Sequence, residues 1–443
     1  MSSVIYKNLN QRPIELTGGE GVWLHDRQGR RWLDTCGGVA VSSLGHCHPR
    51  IVAAMQREAS GLSWAHAGSF TTPAAEALAD WLVSRSGGLA KAQFLSGGSE
   101  AMELALKVAW QYQHERGKPE KTHIIARRQN YHGSTFNTLA ISGNPQRRGI
   151  YDPLLPAVSF VSPCYAFRDC RPDESTESYT DRLAQELDER INALGSERVC
   201  AFVAETVVGS TAGAVPPAEG YFKKIQQVCQ KHDVLLILDE VMAGMGRTGS
   251  YFAYQDEGIV PDMVAVGKGL AAGYQPISAL LIAPFIQQAL ADGSGVLANG
   301  QTHVNHPFAC AVALEVQRTL EEQQLLPRVR QAGEFFRATL RELLHNVDGV
   351  GDIRGRGLFC GIEFVTDRRS LSALPPDRQF AAQLKAAGLE QGILLYPGTG
   401  TVDGVNGQHI LFAPPFIATD DELSLMAERF SMLLSQVSRK VQQ

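Results

Sequence analysis

Five apolar residues in a row, Val234-Leu235-Leu236-Ile237-Leu238, run without a polar break into Asp239-Glu240. So short a segment with no apolar–polar alternation reads as a strand covered on both faces, as in a parallel sheet lying between layers of helices. The stretch before it, residues 219–232, places Tyr221, Ile225, Val228 and Cys229 on one face at helical spacing, with Lys223, Lys224, Gln227 and Lys231 elsewhere. A helix feeding a doubly buried strand is the repeating unit of α/β folds. Similar short strands are expected at residues 92–95, 123–126, 199–203 and 263–267.

The chain has 443 residues, more than one ordinary core accommodates. A helical pattern over residues 308–345 predicts one long helix leading into a smaller C-terminal part, where residues 357–364 and 409–413 read as strands of an antiparallel sheet. Residues 21–26 and 31–34 are strand-like and are expected to pack with that part. Residues 162–179, with Pro, Asp, Glu and Ser, read as an exposed connection. The expected fold class is therefore α/β: a large domain (46–310) with a mainly parallel central sheet covered by helices, and a smaller α+β C-terminal domain (311–443) joined by the N-terminal segment (1–45).

A net charge of −5, with 20% charged and 44% hydrophobic residues, describes an ordinary globular protein and gives no basic module for nucleic acid or anionic lipid. No apolar run approaches the ~20 residues of a membrane span. The N-terminal Met1-Ser2-Ser3-Val4-Ile5-Tyr6-Lys7-Asn8 lacks the apolar core of a secretory signal. Eight cysteines (Cys36, Cys47, Cys164, Cys170, Cys200, Cys229, Cys310, Cys360) show no paired spacing and read as free thiols. A cytoplasmic protein without a metal centre is expected.

Lys268 follows the apolar run Met263-Val264-Ala265-Val266-Gly267 and precedes Gly269. Most lysines are surface residues; one at the end of a buried strand between glycines points into a site. Asp239 is the complementary case, since an acid after five apolar residues is costly to bury unless a cation meets it. An amine and a carboxylate, each placed where a buried strand stops, are what pyridoxal phosphate chemistry requires. The amine forms a Schiff base with the cofactor aldehyde, and the carboxylate keeps the pyridine nitrogen protonated so that the ring accepts electrons. Asp239-Glu240 as a nucleotide-hydrolase acid is disfavoured by the absence of a GxxxxGK[ST] loop.

Other motifs are ambiguous alone. Ser96-Gly97-Gly98-Ser99-Glu100-Ala101 joins a strand to a helix; it is either an anion cradle or a plain turn, and lacks the GxGxxG spacing of a dinucleotide site. Tyr131-His132-Gly133-Ser134-Thr135 offers an aromatic that either stacks on a planar ring or sits in an ordinary loop. Glu205, at a strand end, is either a ligand-facing acid or a solvated one. Val241 is placed to press on a ring held by Asp239. Thr302, before Pro307, either donates to a phosphate or belongs to a helix-start turn. Trp23, Val39, Ala40 and Trp64 are either pocket walls or core.

Taken together, residues 34–49, 96–101, 131–135, Glu205, 238–249, 266–270, Thr302, 354–358 and 413–415 resemble the class-III (ω-type) aminotransferases, pyridoxal phosphate enzymes of fold type I, over nearly the whole chain. The resemblance implies that Gly98 and Ser99 grip the phosphate, that Tyr131 of the aromatic-His132-Gly motif stacks on one ring face, and that Val241 packs on the other. It further implies Asp239 at the ring nitrogen, Glu205 at the ring's polar edge, Lys268 as the internal aldimine lysine, and Thr302 reaching the phosphate of the partner subunit. A homodimer with composite sites is implied. Two positions depart from the pattern. The 4-aminobutyrate branch has an arginine where Ser134 stands, and many members have one shortly before the Ala-Pro-Pro stretch, where this chain reads Asp403-Gly404-Val405-Asn406-Gly407-Gln408-His409. Without these carboxylate-binding groups the chain resembles the ω-amine:pyruvate branch more closely.

The expected activity is transfer of an amino group from a primary amine or ω-amino acid to an oxo acid such as pyruvate. The alternative within the fold is a racemase, aminomutase or decarboxylase acting on an amino acid. A cofactor-binding DNA regulator would carry a basic helix-turn-helix, and a dehydrogenase the dinucleotide fingerprint; neither feature is present.

Overall fold

The computed structural model describes residues 2–442. Strands β1 (Leu16–Glu20), β2 (Trp23–Asp26) and β3 (Arg31–Asp34) form an antiparallel N-terminal ribbon. Seven strands then build the central sheet: β4 (Lys91–Leu95), β5 (His123–Arg127), β6 (Ser159–Val161), β7 (Val199–Glu205), β8 (Leu235–Asp239), β9 (Met263–Val266) and β10 (Ser278–Ile282). Their order is β4-β10-β9-β8-β7-β5-β6, and β10 alone in this sheet runs antiparallel, against both β4 and β9. Every residue of β7, β8 and β9 is buried, as unbroken apolar runs demand. Helices Pro73–Arg85, Gly98–Glu115, Thr176–Leu194 and Tyr221–Lys231 pack their apolar sides on this sheet in one continuous core.

A second core lies around the antiparallel sheet β11 (Val350–Arg356), β12 (Phe359–Asp367), β15 (Tyr396–Thr399) and β16 (Gln408–Phe412), in the order β11-β12-β16-β15. Short β13 (Ser372–Ala373) pairs with β12, and β14 (Ile393–Leu394) extends the N-terminal ribbon by pairing in parallel with β3. Val22 and Leu33 join this second core, and Trp32 Nε1 donates to the Leu389 carbonyl at 2.8 Å. Residues of the N-terminal segment and of the C-terminal part thus share this second core.

Two expectations hold only in part. The helix expected over 308–345 is two helices, Pro307–Glu322 and Leu325–Leu344, broken where Gln324 takes a left-handed φ of 51°. Apolar spacing continues on both sides of such a break, so periodicity cannot report it. Residues 162–179 are an exposed connection only in part: residues 171–178 lie mostly at the surface, but Cys164, Tyr165 and Tyr179 are buried, and the Tyr179 hydroxyl accepts the Tyr165 N–H at 2.7 Å. Aromatic bodies outweigh the polar residues between them. Among the described residues no helix is long and apolar enough to cross a membrane.

Candidate active site

Parallel strands end on one edge, and here that edge gathers charge. Glu205 and Asp239 close β7 and β8 as direct register partners, and Asp239 lies opposite Ala265 of β9, three residues before Lys268. Both carboxylates are buried, so each needs donors. Glu205 accepts the backbone N–H of Tyr131 and of Gly209, each at 3.0 Å. Asp239 Oδ1 accepts the Val241 N–H at 2.9 Å, and Oδ2 lies 2.8 Å from His132 Nδ1. With Nδ1–H donating to the carboxylate, His132 Nε2 is a buried atom with no partner among the described residues. Burial pushes Glu205 up to about 7, against the pull of His132 and with the push of Asp239.

Lys268 carries a left-handed φ of 42°, a conformation a long side chain adopts only when its surroundings enforce it. The Leu270 N–H closes a turn onto the Gly267 carbonyl at 2.8 Å, and Gln317 Nε2 donates to the Gly269 and Leu270 carbonyls at 3.0 and 2.8 Å. The amine itself has no hydrogen bond or ion pair among the described residues. Burial draws it down to about 8; Asp239 and Glu205 resist, while Arg247 and Arg147 add to the fall. An amine poised there can act as a nucleophile or a base near neutral pH.

The Gly98–Glu115 helix begins behind Gly97 with no side chain capping its free N–H groups. A Cβ on Gly98 would stand 2.8 Å from Val241 Cγ1, and one on Gly267 would stand 3.4 Å from the same atom. The missing side chains leave Val241 wedged beside the helix start and the lysine turn. Ser99 Oγ accepts the Ser134 N–H at 3.1 Å, which ties the helix start to the Tyr131 loop. Tyr131 is partly buried with the Arg147 guanidinium over its ring, 5.1 Å from the centroid.

Gly98, Ser99, Tyr131, His132, Glu205, Asp239, Val241 and Lys268 therefore converge. Thr302 does not: it is exposed, and its carbonyl accepts Trp64 Nε1 at 2.8 Å. Trp23 packs against the second core beneath Arg31, 4.5 Å from the ring centroid, and so belongs to that core. Ala40 is buried with Met242, Ala243 and Tyr396, while Val39 and Trp64 are exposed. His409 is buried, bonded through Nδ1 to Thr401 Oγ1 at 2.7 Å, and driven by burial and Arg354 down to about 3. A histidine held neutral supplies no cation at that departure from the family pattern.

Sequence reasoning missed Gln317, whose one signal was an amide on a helix face otherwise apolar. It missed Arg147 too, which stands in an unremarkable Asn144-Pro145-Gln146-Arg147 turn.

The match to known proteins spans the molecule. The model of the family described as aminotransferase class-III matches residues 5–434. An uncharacterized aminotransferase of Schizosaccharomyces pombe is 39% identical, covering 98% of this chain and 95% of its own. A chloroplastic gamma aminobutyrate transaminase of Solanum lycopersicum is 32% identical over 97% of this chain and 82% of its own. Among solved structures, an omega transaminase from Pseudomonas jessenii in complex with PMP superposes with a TM-score of 0.92 at 32% identity, covering 100% of this chain and 97% of that one. With a fold and a whole-length match of this kind, the chain belongs to the class-III aminotransferases.

Proposed function

We propose that this aminotransferase uses pyridoxal 5'-phosphate to move an amino group from a primary amine or ω-amino acid to an oxo acid such as pyruvate, with Lys268 and Asp239 as its catalytic pair. The observation that carries the reading is the strand-end convergence: an amine without a partner, drawn down to about 8, beside a buried carboxylate whose second oxygen is oriented by His132. The residues fit the cofactor. The uncapped helix start at Gly98 and Ser99 suits a phosphate, Tyr131 and Val241 suit the two faces of a flat ring, and Asp239 suits a protonated ring nitrogen. Glu205 suits the ring's polar edge. Thr302, exposed in one chain, suits the phosphate of a second copy in a homodimer.

When bound, such a cofactor supplies an aldehyde that condenses with amines and a ring that accepts electrons. The protein's own part is proton handling and orientation. Lys268 Nζ takes the proton from the carbon bearing the donor nitrogen and later returns one, which its lowered pKa permits near neutral pH. Asp239, its two oxygens fixed by His132 and the Val241 N–H, would hold the ring nitrogen of the bound cofactor. The Gln317 amide holds the Lys268 turn in register with that carboxylate. Family membership and the amino-transfer names of the relatives favour transfer over racemisation, mutation or decarboxylation.

The test is Lys268→Ala. Alanine formation from a primary amine and pyruvate is expected to fall by at least about a thousandfold, and borohydride is expected to fix the cofactor to the native protein but not to the variant. Unfolding temperature reports whether the fold survives. Undiminished alanine formation in a folded variant overturns the assignment.

A further inference from the structure

Neither position at which the family resemblance implies a carboxylate-binding arginine carries one: Ser134 stands at the first, and a loop ending in neutral His409 at the second. The fold nevertheless lays another guanidinium, that of Arg147, over the ring of Tyr131. Arg147 belongs to the short turn of helix Pro145–Arg148, and that turn is fastened on several sides. Thr399 Oγ1 donates to Gln146 Oε1 at 3.0 Å, Asn144 Nδ2 donates to Gln129 Oε1 at 3.0 Å, and Gln129 Nε2 donates to the Gly400 carbonyl at 2.8 Å. Its neighbour Arg148 is consumed by Asp152, at 2.8 Å, and by the Ala140 carbonyl.

The Arg147 guanidinium makes no hydrogen bond and no ion pair among the described residues, while its backbone N–H donates to the Asn144 carbonyl at 3.1 Å; the side chain's one contact of note is the face of Tyr131. A guanidinium laid on an aromatic face keeps its planar fork free for two parallel bonds to a carboxylate. The Tyr131 backbone N–H donates to Glu205 at 3.0 Å and the next residue, His132, bonds Asp239 at 2.8 Å, so the guanidinium lies on the loop that meets both carboxylates, and its charge adds to the lowering of the Lys268 amine.

We propose that Arg147 is the specificity-determining residue of this enzyme: it binds the carboxylate of an amino-acid donor whose amine is presented to Lys268. The inference rests on the reading of the site given above and narrows its donor class. Primary amines without an acid group remain substrates by default, and those with a carboxylate several carbons from the amine gain a second anchor. The arginine does for this chain what Ser134 and His409 cannot.

The experiment compares donors of equal length with and without the acid, 4-aminobutyrate against butylamine, in the native holoenzyme and in Arg147→Met and Arg147→Lys. The reading is the half-reaction with donor alone, followed by the cofactor's absorbance. The preference for the amino acid, as a ratio of kcat/KM values, is expected to fall roughly ten- to hundredfold in Arg147→Met, mainly through KM, with partial retention in Arg147→Lys. Calorimetric binding of unreactive butyrate to the holoenzyme is expected to weaken to the same degree. An unchanged ratio together with unchanged butyrate binding overturns the role of Arg147 while leaving the aminotransferase reading intact. Failure of every donor to react in the native enzyme overturns that reading instead, and butyrate binding then still decides about Arg147.

Discussion

Glu205 shows how far burial moves a single group. Its carboxyl is raised to about 7 from an ordinary 4.5, because two backbone donors do not replace the water it loses. Folding therefore takes up a proton that the unfolded chain has released, and stability falls as pH rises from about 4.5 to 7, then levels off. Glu240, buried and held by the Thr206 hydroxyl and the Ala253 and Tyr254 N–H groups, acts in the same sense over the same window. Lys268 has the opposite effect at higher pH: its lowered pKa means that stability is regained from about 8 up to the ordinary lysine value. Replacing Glu205 with Gln is thus expected to flatten, without abolishing, the decline in unfolding temperature between mildly acidic and neutral pH. Thermal melts across that range check this, and an equal slope in the variant refutes it. At this scale Lys268 and Asp239 were legible because a charge at the end of an apolar run needs an explanation. Arg147 and Gln317 were not, since nothing beside them in sequence makes an arginine or an amide unusual.

Among the elements, the start of the Gly98–Glu115 helix is the most constrained. Its free N–H groups are useful to an anion only if no side chain stands in front of them. A methyl at Gly98 would meet Val241 Cγ1 at 2.8 Å, closer than van der Waals contact allows, so either the helix start or the valine must move. Gly98→Ala is expected to weaken pyridoxal phosphate binding by about tenfold, with Val241→Ala added to the same chain restoring part of the loss. Equilibrium titration of the apoprotein measures both; full affinity in the single variant shows that the helix start is not the cradle. The doubly buried strands β7, β8 and β9 declared themselves through their apolar runs. The reversed direction of β10 did not, because a run such as Ser278–Ile282 is equally apolar whichever way it points.

Across the whole molecule, the two cores are joined by a buried ionic cluster. Glu363 of β12 is fully buried and accepts from Arg354 at 2.7 Å, from Arg168 Nε at 2.7 Å and from the Tyr165 hydroxyl. Arg354 also donates to the Gly213 carbonyl at 2.9 Å and to the Ala212 carbonyl, in the loop that follows β7. The C-terminal sheet is thereby pinned to the segment after β6 and to the strand that presents Glu205. Removing the one negative charge that two buried guanidiniums share is costly, so Glu363→Gln is expected to lose about 3 kcal/mol or more of unfolding free energy. Chemical denaturation reports it, and a loss below about 1 kcal/mol would mean that the carbonyl contacts, with the Asp352–Arg354 ion pair at 3.0 Å, suffice to hold the arginines.

What the sequence determined without help was the layered α/β architecture and the two residues on which the chemistry is proposed to rest. Burial of uninterrupted apolar strands is a local property, and so is the anomaly of an acid or an amine where such a strand stops. The tertiary structure decided the rest: that Glu205 faces Asp239 across two strands, that His132 orients that acid from another loop, and that Arg147 overhangs Tyr131 while His409 is locked neutral. Charge, protonation and free hydrogen-bonding capacity depend on which distant groups share a small volume, and chain order alone does not contain those distances.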